Sequence, residues 1–159
     1  MNPNEKRIFT DANGDEWLRL NGKQSRIWRD WFVYELANVT NLAAGASITQ
    51  QLTIQADSDF EWTHGVYQFN LANAAITWQA RPIPNCSVLI VDQGSGRQLM
   101  NAAVPVENLF GAPWQPLLLP ISKVFGRNST VAFTITNFDA AVNTGQLKLT
   151  MLGYKIFYY

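Results

Sequence analysis

From residue 31 onward the chain alternates apolar and polar residues in short runs. Glycine, proline, asparagine and aspartate interrupt those runs, and no long stretch keeps the spacing of an amphipathic helix. Residues 46–56 are the clearest case. Ile48, Leu52 and Ile54 share one side of an extended chain, and Thr49, Gln51, Thr53 and Gln55 share the other. The same reading predicts strands over 31–36 (ending at Asn38), 60–69, 74–80, 87–91, 97–100, 130–136 and 146–158. Gln93-Gly-Ser-Gly96 makes a tight reversal, and Gly153 is a plausible bulge. Residues 105–120 contain four prolines and Gly111, so they are expected to form an ordered loop and not a central strand. About eight strands with turns between them predict an all-β fold, an antiparallel β-sandwich or barrel, with the jelly roll fitting well. Leu52, Ile54, Leu89, Val91, Phe133, Ile135, Leu147 and Leu149 are the expected core. Leu89 and Val91 cannot share a face with Val88 and Ile90, so that strand is expected to be buried on both sides.

The first part of the chain has a different character. Of 24 charged residues, 12 precede residue 36, six of each sign, and three of the six tryptophans, Trp17, Trp28 and Trp31, lie there too. Turn signals stand at 11–14 and 21–22. Residues 25–34 fit either a helical turn capped by Ser25 or the start of a strand. We therefore expect an N-terminal arm over residues 1–30 and a β-sandwich domain over 31–159. A short polar arm cannot bury its own aromatics, so Trp17, Trp28 and Trp31 are candidate partner-interface residues. The aromatic end of the last strand, Tyr158 and Tyr159, joins them. Only 15% of the chain is charged, below the roughly 25% usual in soluble domains, which favours burial against other copies or another protein, with a large β core as the competing explanation. A symmetric homodimer is the simplest expectation, a trimer the alternative. Formal net charge is zero, which argues against a nucleic-acid partner.

Chemistry finds few residues. His64 is the sole histidine and Cys86 the sole cysteine, which excludes a multi-histidine metal site and an internal disulfide. Cys86 reads as a buried strand residue. Asp57, Asp59 and Glu61, spaced by two, are the one set of carboxylates with a possible Ca²⁺ geometry, but a turn at a strand end is the favoured account of them. A carboxylate pair would also suit glycoside hydrolysis, but such sites usually occupy a cleft on a larger scaffold. Gly94-Ser-Gly96-Arg97 lacks the helix that a phosphate loop requires. The expectation is a chain with no catalytic residues, no metal and no cofactor. Trp62, Trp78 and Trp114 are candidates for a sugar-stacking platform. No apolar stretch reaches membrane-spanning length and the first residues lack the core of a secretory signal, so Asn38, Asn85 and Asn128, each opening an N-x-Ser/Thr triplet, are not expected to carry glycans.

Six stretches, Asp57-Ser-Asp-Phe-Glu-Trp62, Ser95-Gly-Arg-Gln-Leu99, Val104-Pro-Val-Glu-Asn-Leu-Phe-Gly111, Pro116-Leu-Leu-Leu-Pro120, Thr130-Val-Ala-Phe-Thr-Ile-Thr-Asn137 and Leu152-Gly-Tyr-Lys-Ile156, occur in this order. Together they resemble small virion structural proteins of tailed bacteriophages, over roughly residues 48–157. The resemblance implies a jelly-roll domain of the capsid cement or decoration type, on the outer surface of the virion, with the major capsid protein as partner. A neck, tail or tail-fibre component with a receptor- or carbohydrate-binding sandwich is the alternative. It carries over no catalytic residues and does not reach the arm.

Overall fold

The computed structural model describes residues 7–20, 23–70 and 83–159. They hold eleven strands, no α-helix and a single 3-10 turn at Val106–Asn108. The strands are β1 (Arg7–Thr10), β2 (Glu16–Leu20), β3 (Lys23–Thr40), β4 (Ser47–Thr53), β5 (Asp59–Asn70), β6 (Cys86–Asp92), β7 (Arg97–Gln98), β8 (Val104–Pro105), β9 (Leu117–Phe125), β10 (Thr130–Asn137) and β11 (Gln146–Tyr158). Two antiparallel sheets curl over one another around a common core. The larger has the order β1-β2-β3-β11-β5-β9, and the smaller β4-β10-β6-β7 with β8 also on β6.

Alternation builds both layers. Val131, Phe133 and Ile135 of β10 and Leu147, Leu149 and Met151 of β11 are wholly buried, while the residues between them look outward. Truncating one of the large core residues, such as Phe133, would cost about 3–5 kcal/mol. Two bulges re-phase the larger sheet. Leu36 is the extra residue where Leu149 faces Ala37 and Thr150 faces Glu35, and both Leu36 and Ala37 are buried as a result. Thr63 is the extra residue where Leu152 faces His64 and Gly153 faces Trp62. The irregularity expected at Gly153 is therefore present, but its additional residue belongs to β5. Gly153 itself is needed for close approach: a Cβ there would collide with the Glu61 carbonyl.

Several expectations are corrected. Eleven strands among the described residues replace about eight, because β1, β2 and the long β3 precede the expected domain or extend into it, and β7 and β8 are short pieces on one edge of β6. Val88 and Ile90 take the core positions on β6, while Leu89 and Val91 are half-buried on its other face. Leu52 packs on the core but stays half-buried. The proline-rich segment includes the start of β9. Pro120 is accommodated because β9 is, among the described residues, an edge strand, where a missing N–H is harmless. The junction expected at residues 30/31 falls inside β3, which passes from the arm into the sheet without a break. The strand expected over 74–80 and Trp78 lie outside the described residues.

Candidate partner interface

The arm is an antiparallel ribbon. Its turn is held by the Asp11 carboxylate, which accepts bonds from the backbone N–H of Asn13 and of Asp15 (both 2.9 Å) and from Trp17 Nε1 (2.8 Å). The Trp17 bond, ahead of the two backbone bonds, keeps the Asp11 pKa below its ordinary value. Gly14 closes the turn with φ of +87°, which a side chain would resist. β2 pairs with β3 only from Lys23 to Arg26, and β11 takes over beside β3 from Ile27. The Tyr159 backbone continues that pairing through two bonds with Arg26.

Strand alternation divides the five candidate interface residues. Trp31 lies on the outer face of the larger sheet, its ring meeting Tyr154 edge-on at 5.6 Å. Trp28, an odd number of residues away, projects on the opposite face, where its Nε1 donates to Asp30 (2.7 Å). Both tryptophans are more than half exposed. Trp17 is half-buried and bonded to Asp11. Tyr158 packs with Ile27 and Ile156 and donates its hydroxyl to Asp59 Oδ2 (2.8 Å). Burial first, then that bond, pushes the phenol well above its usual range. Tyr159 is exposed at the sheet's end.

Around Trp31 the outer face gathers apolar residues that sequence reasoning missed. Cross-strand neighbours place Leu152 between Val33 and His64, His64 beside Leu118, and Glu61 between Tyr154 and Val124. Val33, Val124 and Leu118 are exposed. The signal lay in residues 31–34, Trp-Phe-Val-Tyr, which are apolar on both faces of one strand. A charged chain borders this patch. Arg29 joins Glu16 (2.8 Å) to Glu61 (2.7 Å), and Glu61 accepts a bond from Ser122 (2.6 Å). These contacts tie the arm's β2 to β5 and β9 across two intervening strands.

The chemical candidates disperse. Asp57 sits in a turn and pairs with Lys155 (2.7 Å), whose hydrogen bond holds its carboxyl below the ordinary value. Asp59 is taken by Tyr158 and the Arg127 backbone, and Glu61 by Arg29 and Ser122. The three carboxylates expected on one side of an extended chain thus serve separate partners. Among the described residues no group of three or more His, Cys, Asp or Glu side chains gathers as a metal site. His64 Nδ1 lies 2.9 Å from Thr63 Oγ1. Burial pushes the Cys86 thiol up to about 11, which keeps it protonated. Trp62 is core, stacked with Phe110 and Phe125, so the sugar platform loses that member; Trp114 is exposed. No protein-family model matches the chain, and no curated protein matches it in sequence.

Proposed function

We propose that this chain is a virion structural protein of a tailed bacteriophage, a cement or decoration protein whose sandwich is a jelly roll. In this reading it binds the outside of the assembled shell, bridges neighbouring subunits of the major capsid protein and associates with itself. The observation that carries it is the outer face of the larger sheet. There Trp31, Tyr154, Val33 and Leu118 form an apolar surface bordered by the Glu16–Arg29–Glu61 chain. An aromatic centre within a polar rim has the anatomy of a protein-binding surface. The motifs over residues 48–157 supply the virion context. Many copies on one shell would turn a modest affinity per site into a long-lived attachment.

Copy number in purified virions, by quantitative mass analysis, tests the reading. A value on the order of hundreds per particle is expected for repeated shell sites. A value near a dozen would move the protein to the neck or tail, and absence from the particle would end the proposal.

A further inference from the structure

Among the described residues β4 pairs only with β10 and forms an edge of the smaller sheet. Two bonds fix which way its backbone points. Asn137 N–H donates to the Ala46 carbonyl, and Ile54 N–H to the Ser129 carbonyl. Even-numbered residues therefore turn toward β10, and Ser47, Thr49, Gln51 and Thr53 turn their N–H and C=O groups away from it. Edge strands are normally protected by lysine, proline, a bulge or an inward charge. β4, Ser-Ile-Thr-Gln-Gln-Leu-Thr, has neither charge nor proline, and it pairs with β10 through all seven residues without a register shift.

The occupant follows from reading β4 backwards. Set antiparallel against a second β4 with Ser47 opposite Thr53, hydroxyl meets hydroxyl and Ile48 meets Leu52. Thr49 then meets Gln51, and Gln50 meets its own counterpart. This register aligns the outward-turned residues of both strands over their full length and allows up to about eight new backbone hydrogen bonds. Ile48 remains exposed and Leu52 half-buried, so each has apolar area left to cover. Neither β4 nor β10 contains a charged residue, so two copies meet without like-charge repulsion. We propose that two copies of this chain join along β4 about a two-fold axis at Gln50, merging their smaller sheets into one. This names the surface for the self-association proposed above and does not depend on shell binding.

The test uses the full chain. The wild type is expected to sediment as a dimer at micromolar concentration. Gln50→Cys should form a disulfide-linked dimer under mild oxidation, because directly opposed non-hydrogen-bonded residues have Cα atoms about 4.5 Å apart and the native thiol, Cys86, is buried. Gln68→Cys, exposed on the other sheet, should not cross-link. Gln51→Pro removes an N–H that β10 does not use and should yield a folded monomer by circular dichroism and sedimentation. If that variant fails to fold, the cysteine pair decides. A monomeric wild type at high micromolar concentration, a dimer that survives Gln51→Pro, or equal cross-linking at positions 50 and 68 would each overturn the proposal. A monomer that still binds shells would refute this inference while leaving the shell reading intact.

Discussion

Lys123 Nζ lies 3.0 Å from Asp92 Oδ2, and this ion pair joins an edge strand of the larger sheet to the end of β6 in the smaller one. Asp92 is almost fully buried, Lys123 partly exposed, and Ser95 gives the same carboxylate a backbone and a hydroxyl bond. Burial pushes the Asp92 pKa up, but the Ser95 and Lys123 bonds together outweigh it and hold the carboxyl below its ordinary 3.8.

Asp92 therefore makes stability acid-sensitive. A carboxyl with a depressed folded pKa contributes its full stabilisation above the unfolded value and loses it as pH falls through the folded one. Urea unfolding should show wild-type stability declining below about pH 4. Asp92→Ala should cost about 2 kcal/mol at pH 7, less than a fully buried pair because water reaches Lys123. The gap between variant and wild type should narrow toward pH 3. A gap that stays constant with pH would show that the carboxylate's charge is not what stabilises the joint.

Gly153→Ala should destabilise by about 1–3 kcal/mol or more, since the new methyl meets the Glu61 backbone and the Phe60 ring, and a strand carbonyl cannot rotate aside. Gly126→Ala is the control. A Cβ there meets nothing within 4 Å, and thermal melting should move little or slightly upward.

Cys86 should resist a thiol reagent in the native protein at pH 8. A pKa near 11 lowers the thiolate fraction, slowing attack by about a hundredfold before access is considered. Labelling should accelerate in step with urea unfolding. Fast labelling of the folded protein would contradict the burial.

Trp31→Ser and Trp28→Ser separate the two faces. Each residue is largely exposed. Thermal stability should change by no more than about 1 kcal/mol, the larger effect falling on Trp31, which loses its edge-on ring partner. If the outer face is the docking surface, Trp31→Ser should weaken shell binding at least about tenfold, and Trp28→Ser should weaken it less. The reverse order would assign docking to the opposite face.

Gln146–Tyr158 was readable end to end because Leu147, Leu149 and Met151 alternate inward and the apolar, aromatic run continues past the break in phase at Gly153; Thr130–Asn137 was nearly as clear. The backward extension of β3 to Lys23 was not, since a strand with aromatics on both faces has no period to detect. β9 was hidden by Pro116 and Pro120, whose tolerance depends on its being an edge, a property of the sheet and not of the local sequence. On β6 an unbroken apolar run left open which alternate residues face inward. The site was legible only as a set of aromatics. Trp28 and Trp31 could be named, but their separation onto two faces required the strand. The Arg29–Glu61 pair, 32 residues apart in sequence, required the register.

The position of β11 between β3 and β5 sets the order in which this protein can come into being during synthesis. β3 leaves the ribosome more than a hundred residues before its partner, and β5 and β3 have no direct pairing with each other. The larger sheet must wait for residues 146–158, whereas β4, β6 and β10 can assemble earlier. Such distant pairing is slow to form and leaves early strands unpaired meanwhile. The surface around Trp31 and Tyr154 is shared between β3, made early, and β11, the last strand of that sheet to be made. A nascent chain therefore cannot present it until β11 has been made, and only then can it engage whatever it binds.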